Sequence, residues 1–329
     1  MASPSPPSSP LVRAAFVILT RATPERVVYL KSTLYFLFLR FNAKFRYPVR
    51  VLHEGDFDDR LQAEIRAGLR GDAGALLTFV RVDAGDFDVP AWIDRDRLQR
   101  NIAAQPVPYW RDLRYRLMCR FWLVHARKYV RDLEYYCRLD DDAWLEEDVA
   151  TDLFAAVKAS NAALAGAVVH VDCPVCTYGM RALFRGLGLA KDADDARLFV
   201  RAPLPLEFLR GIDASPTYDA TGQSVAYMPV MLYNNFSFNR VGFWERPDVV
   251  AALKAVDATG NVFYYRWGDA PVVTLIVQAL APADGLQVVR TRYSKRLQRE
   301  AFVDASGGVH RYMPADYTSD SSMVVFKAA

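Results

Sequence analysis

The chain has 329 residues, 52% hydrophobic and 24% charged, enough to bury one large core or two small ones. Its net charge of +3 excludes the broad basic field that collects nucleic acid or a membrane face, so basic groups matter only locally. The longest apolar stretch of note, Leu34-Tyr35-Phe36-Leu37-Phe38-Leu39, is too short to span a bilayer and is flanked by Lys31 and Arg40, so it reads as one face of a buried helix.

Met1 to Pro10 are rich in Ser and Pro and are expected to be a disordered tail ahead of a single domain over residues 11–329. Ala14 to Leu19 is a continuous apolar run, the pattern of a buried parallel strand. Thr23 and Pro24 then open a helix as N-cap and first helical residue, and that helix extends to about Arg46. A strand at Val49 to His53, a helix at Asp58 to Leu69 and a strand at Leu76 to Val82 keep the alternation going, which argues for βαβ units and a parallel sheet. Leu113, Leu117, Phe121 and Val124 recur at helical spacing between Trp110 and Val130. Strands are expected at Tyr135 to Leu139 and Ala165 to Val171. From Cys173 to Met228 the pattern loosens, Gly and Pro recur, and loops are expected. Helices at Val249 to Val256 and Pro271 to Leu280 follow.

The four cysteines include Cys173-Pro174-Val175-Cys176, but no second pair or histidine completes a zinc site, so these read as a thiol pair. His53, His125, His170 and His310 share no metal-ligand spacing and are read as structural. The 13% aromatic content reads for the most part as a large core rich in Tyr and Phe.

Two segments carry chemistry. Tyr135-Tyr136-Cys137-Arg138-Leu139-Asp140-Asp141-Asp142 is a strand ending in carboxylates, and open parallel sheets bind ligands outside the carboxyl ends of their strands. Carboxylate oxygens suit Mg²⁺ or Mn²⁺, and such an ion can bridge and neutralise a diphosphate. The same pattern also fits a turn or a helix cap. The second segment is Phe263-Tyr264-Tyr265-Arg266-Trp267-Gly268-Asp269-Ala270-Pro271-Val272, an uncommon combination of residues.

With both in hand, the chain resembles the fungal α-1,2-mannosyltransferases, glycosyltransferase family 15, from about Ala14 to Tyr293. Arg266-Trp267-Gly268-Asp269-Ala270-Pro271-Val272 matches the family outright. Tyr115-Arg116-Leu117-Met118-Cys119-Arg120-Phe121 is similar to its Tyr-Arg-His-Met-Cys-Arg-Tyr/Phe helix, and Asn42 to Pro48 to the stretch before its second strand. Cys137 to Asp142 stands where members have Trp-Arg-Val-Glu-Pro-Asp. Asn235-Phe236 and Phe243-Trp244 keep the spacing of its Ser-Asn-Phe-Glu segment. The resemblance implies a GT-A-like nucleotide-diphospho-sugar transferase fold, α/β with a mostly parallel central sheet flanked by helices. It also implies a GDP-mannose donor, Mn²⁺, a mannose-containing glycan acceptor, transfer with retention, and a place in the Golgi or secretory pathway. Without the family's membrane anchor in view, a cytoplasmic place is also compatible.

Several positions depart from the family. Its glutamate after Asn-Phe is Ser237, which cannot supply the charge that an oxocarbenium-like transition state favours. Its metal-proximal histidine motif is replaced around Tyr293-Ser294-Lys295, where Lys295 or Arg296 offers a cation in its stead. Its Glu-Pro-Asp glutamate is Asp140.

By resemblance, Asp140 and Asp142 are metal and diphosphate residues, and Tyr115, Arg116, Arg120, Asn235, Arg266, Trp267 and Lys295 are donor-site residues. Asp269 is a base or hydrogen-bond acceptor toward an acceptor hydroxyl, and Ser237 is a catalytic candidate by position only. Each has a bland alternative: a helix N-cap for Asp269, an ion pair for Arg266, core packing for Trp267 and Tyr115, a turn for Asn235. The resulting reading is a retaining mannosyltransferase. Its alternatives are a transferase with a changed donor and a non-catalytic nucleotide- or carbohydrate-binding protein on the same scaffold. A dinucleotide oxidoreductase is disfavoured because no Gly-x-Gly-x-x-Gly follows the first strand.

Overall fold

A computed structural model describes residues 12–106, 109–191, 198–203, 223–295, 301–303 and 309–311. The Ser/Pro-rich start, Arg296, the His310 side chain and part of the expected loop region lie outside the described residues.

The apolar run forms β1 (Ala14–Leu19), flanked by β2 (Val49–His53) and β4 (Tyr135–Leu139), both parallel to it. β3 (Leu77–Arg81) continues the parallel set beyond β2. On the other side β10 (Phe236–Arg240) runs antiparallel between β4 and β6 (Leu164–Gly166), and β11 (Leu286–Val288) closes the edge parallel to β6. The order is β11-β6-β10-β4-β1-β2-β3, a mostly parallel seven-stranded sheet. Both faces are covered. Phe16 and Ile18 of β1 pack with Phe41, Tyr47, Phe154 and Phe238, while Ala15 and Val17 pack with Phe121, Trp122 and Leu52 on the opposite face. Burial on both faces is why this strand is continuously apolar.

The long helix after β1 begins as the sequence suggests, with Thr23 Oγ1 accepting from Arg26 N and Pro24 in the first turn of α1 (Pro24–Leu37). It continues through a wide π segment at Phe38–Asn42 to Phe45 and stops at Arg46, whose φ of 58° is left-handed. Helix α2 (Asp59–Ala67) is capped by Asp58. Helix α3 (Arg95–Ala104) has no counterpart among the sequence expectations, because Leu98 is its one buried apolar residue of large size and leaves no stripe to read. The segment expected as one helix from Trp110 to Val130 is α4 (Leu113–Arg120), a π turn at Phe121–His125 and a 3-10 turn at Ala126–Tyr129. The π turn joins two core clusters, since Phe121 and Trp122 enter one and Leu123 the other.

The expected strand over 165–171 is corrected. It divides into β6 in the main sheet and β7 (Val169–Val171), which pairs with β9 (Val225–Leu232) in a separate three-stranded sheet completed by β8 (Phe199–Pro203). A glycine is needed at the division: a Cβ on Gly166 would lie 2.9 Å from the Leu232 side chain and 3.2 Å from the Phe236 carbonyl. The region expected to be loops also holds the helix α5 (Met180–Gly186). Helices α6 (Pro247–Ala258) and α8 (Asp269–Leu280) lie close to the expected positions, and the short α7 (Asn261–Tyr264) falls between them. Finally β5 (Ala143–Leu145), just after the aspartates, pairs antiparallel with β12 (Tyr293–Lys295), which puts Lys295 opposite Ala143.

Candidate active site

The aspartates leave the carboxyl end of β4, between β1 and β10. The backbone N–H of Asp140 donates to the Asn235 carbonyl at 2.9 Å, which pins the turn to the chain entering β10. Asp140 then accepts from Arg138 Nε at 3.1 Å on Oδ1 and from Lys295 Nζ at 2.9 Å on Oδ2. Burial opposes its charge, but Lys295 and Arg138 overcome this and hold the carboxyl well below the usual range.

Arg138 links the two chemistry-bearing segments. Its guanidinium is buried, donates to Asp140 through Nε and to Asp269 Oδ2 through Nη1, and lies 4.4 Å from the centre of the Trp122 ring. Burial alone would lower its pKa; the two carboxylates reverse this and keep it charged. Asp269 also accepts from Asn234 Nδ2 at 2.6 Å. It is the first residue of α8 and not its cap, which is Gly268, so the capping alternative is corrected.

Asp141 and Asp142 face α1. Asp141 accepts from Thr20 Oγ1 at 2.5 Å and from Arg26 Nη1 at 2.8 Å, and its carbonyl accepts from Thr33 Oγ1 at 2.7 Å. Burial pushes the Asp141 carboxyl up to about 7, against the pull of Arg26 and helped by the charge of Asp142. Asp142 is buried with Arg26 Nη1 3.6 Å from Oδ2 and Lys295 Nζ 3.8 Å from Oδ1.

Asn235 is buried beside this group. Its Oδ1 accepts from Tyr293 Oη at 2.6 Å, while its Nδ2 has no hydrogen-bond partner among the described residues. Ser237 sits opposite Arg138 in the β10–β4 register, and its hydroxyl donates to the Asn234 carbonyl at 3.1 Å and receives Asn239 Nδ2 at 3.3 Å. A buried hydroxyl tied to the backbone in this way holds a strand; it offers no charge to a sugar cation.

Other candidates fall elsewhere. Arg116 is fully buried, donating to the Phe263 carbonyl at 2.7 Å and to Gln105 Oε1 at 2.8 Å, so it joins α4 to α7 rather than reaching a ligand; burial lowers it to about 10. Arg120 makes a two-pronged pair with Asp257 of α6, at 2.8 and 3.0 Å, and neither binds nor neutralises the aspartate cluster. Trp267 has no exposed surface and donates to the Tyr178 carbonyl at 2.8 Å, a core position with no face for a sugar. Arg266, at φ 63°, directs its guanidinium to Cys176 Sγ, with Nε at 3.0 Å, and over the Tyr115 ring at 5.3 Å. Tyr115 is half-buried there. The Cys173 and Cys176 sulfurs are bonded in a disulfide, which corrects the thiol-pair expectation. Arg138, Arg26, Thr20 and Asn234 join the site without being among the sequence candidates. Arg138 lay inside the highlighted segment, but a charged residue in the interior of a buried strand was itself the missed signal, since such a charge must be paired.

The donor set does not fit a resident divalent ion. Asp140 and Asp142 both point at the Lys295 ammonium, which cannot ligate a metal and repels one, and no cluster of three or more His, Cys, Asp or Glu suited to a metal occurs among the described residues.

The family model described as glycolipid 2-alpha-mannosyltransferase matches residues 7–183 and 192–298. An O-glycoside alpha-1,2-mannosyltransferase of Schizosaccharomyces pombe is 26% identical over 84% of this chain and 66% of its own length. Glycolipid 2-alpha-mannosyltransferase 1 of Candida albicans is 23% identical over 83% of this chain and 60% of its own. The chain therefore spans a little under two thirds of the curated relatives it matches. Among solved structures, core-mannan synthase A of Aspergillus fumigatus, in a Mn/GDP form, superposes with a TM-score of 0.69 at 21% identity, covering 88% of this chain and 76% of that one. A Saccharomyces cerevisiae mannosyltransferase in complex with GDP gives 0.68 at 17% identity, covering 89% and 76%. The fold is that of these enzymes, GT-A-like with a mostly parallel central sheet flanked by helices. On the match over most of its length, the chain belongs to the glycolipid 2-alpha-mannosyltransferase family.

Proposed function

We propose that this chain is a retaining α-1,2-mannosyltransferase that moves mannose from GDP-mannose to a hydroxyl of a mannose-containing glycan. The observation that carries the reading is the Arg138 bridge. It joins Asp140, at the carboxyl end of a parallel strand, to Asp269, in the segment that matches the family outright. Ligands of open α/β sheets bind at that edge. The names of the relatives and the GDP in the neighbouring structures support the donor and the sugar.

In this reading Lys295 and Arg26 face the diphosphate, the Asn235 amide hydrogen-bonds the sugar, and Asp269 orients the acceptor hydroxyl. Tyr115 and Arg266 line the flank toward Asp172, which lies 3.9 Å from the Arg266 guanidinium. The C1–oxygen bond to diphosphate breaks, the acceptor oxygen bonds to C1 on the same face, and its proton passes to a phosphate oxygen of the departing GDP. No covalent intermediate at position 237 is needed, as suits a serine there. No step runs through a metal, because the residues present do not fit one. The Cys173–Cys176 disulfide suits an oxidising compartment, in line with a secretory or Golgi place. Among the described residues no helix is long and apolar enough to cross a membrane.

Ser237 in place of a glutamate favours a second reading, a non-catalytic nucleotide-sugar-binding protein. Calorimetry with GDP-mannose, GDP, UDP-glucose and UDP separates specificity from fold: guanosine nucleotides are expected to bind and uridine nucleotides not. A uridine preference would retain the fold and overturn the donor.

A further inference from the structure

The carboxylates at the end of β4 already hold a cation, and it belongs to the chain. Lys295 Nζ lies 2.9 Å from Asp140 and 3.8 Å from Asp142. Backbone pairing fixes this position, because β12 runs antiparallel to β5 and sets Lys295 opposite Ala143, the residue that follows Asp142. A second cation reaches the same carboxylate from the far side: Arg26 Nη1 is 3.6 Å from Asp142. Asp142 therefore carries an ammonium on one oxygen and a guanidinium on the other. Both side chains keep partial exposure, 23% for Lys295 and 33% for Arg26, whereas the Asp142 side chain has 2%. The Asp140 side chain keeps 20%, so it is Asp142 that lies behind the two cations, and an incoming anion meets Lys295 and Arg26 before it. Asn235 Nδ2, buried and without a hydrogen-bond partner among the described residues, adds a donor, while Asn235 Oδ1 is held by Tyr293 of the same strand as Lys295.

We propose that Lys295, together with Arg26, replaces the divalent cation, so that this chain binds the diphosphate of its nucleotide-sugar donor without a metal. The inference rests on the donor-site reading above. Two unit charges held 3–4 Å from a shared carboxylate supply the positive charge that a divalent ion would bring, and they do so without a ligand shell to assemble. Lysine is a point-charge phosphate binder, able to turn from Asp140 toward a phosphate oxygen. The carboxylates become orienting groups for the two cations.

The 329-residue chain is titrated with GDP by calorimetry in EDTA and again in MnCl₂, alongside Lys295→Ala and Lys295→Arg. Mn²⁺ binding to each protein is read separately by electron paramagnetic resonance. The native chain is expected to bind GDP equally in both buffers and to hold no Mn²⁺. Lys295→Ala is expected to lose about tenfold or more of its GDP affinity in EDTA, the scale of one charge-assisted bond. It should then gain a Mn²⁺ signal, because Asp140 and Asp142 are released to ligate, and that signal also shows that the site still folds. Lys295→Arg should retain metal-free binding. GDP binding by the native chain only with Mn²⁺ would overturn the inference and leave the transferase reading standing. GDP binding in EDTA without mannose transfer would support the Lys295 role and overturn the transferase reading. Absence of GDP binding in both buffers would overturn both.

Discussion

Arg138 has two carboxylates, the Trp122 ring and the Met118 sulfur around it, and so stays charged inside the protein. Its neighbour Asp141 meets the opposite outcome, since burial raises its carboxyl to about 7 despite the Arg26 contact. A carboxyl raised in the folded state binds more protons folded than unfolded, from its unfolded value of about 3.9 up to about 7. Its contribution to stability therefore falls as pH rises through that window. Asp141→Asn is expected to remove this fall, so urea midpoints measured from pH 4 to 8 should give a flatter profile than the native chain. The slope is the readout, since the substitution also weakens the Arg26 pair; parallel profiles would contradict the assignment.

At the scale of elements, α8 presents Asp269 at its first turn and is fastened along β9. Leu232 N donates to Thr274 Oγ1 at 2.9 Å, and that hydroxyl donates to the Ala270 carbonyl at 2.8 Å. Thr274→Val keeps the volume but strands the Leu232 N–H in the core, at a cost of about 1–3 kcal/mol. Equilibrium unfolding should register that loss with GDP affinity retained, and an unchanged midpoint would contradict the latch. The elements were legible in proportion to their patterning. β1 announces itself as a continuous apolar run, β2 and β4 as short apolar segments each interrupted by one arginine, and α1 by Thr23-Pro24. β10 was not read as a strand because its sequence, Phe-Ser-Phe-Asn-Arg, is short and its orientation is set by neighbours distant in the chain. The tyrosine pair was recognised as unusual, yet its work was hidden. Tyr264 Oη receives Asp94 N at 2.9 Å and Tyr265 Oη receives Arg97 Nη2 at 3.0 Å, which braces the loop before Asp269 against a helix with no readable stripe. For the site, Asp140, Asp142, Asp269, Asn235 and Lys295 do converge, whereas Arg116, Arg120 and Trp267 are held by partners in the core. A motif lists residue types, and only packing tells which of its arginines face outward.

At the scale of the molecule, a two-sided sheet brings residues at the ends of β1, β4 and β10, and from α1, β12 and α8, to one edge, although they are spread from Thr20 to Lys295. In the proposed function it is that convergence, and not any one motif, that receives the diphosphate and the sugar. It also keeps position 237 inside the sheet, where the serine hydroxyl bonds the Asn234 carbonyl and Asn239. The most direct test is to incubate the chain with GDP-mannose and methyl α-mannoside and to determine the linkage and anomer of any disaccharide by NMR. An α-1,2-linked dimannoside, lost in Arg138→Ala, is the expected result. GDP-mannose bound at that edge with no disaccharide formed would contradict it and leave a binding protein on a transferase scaffold.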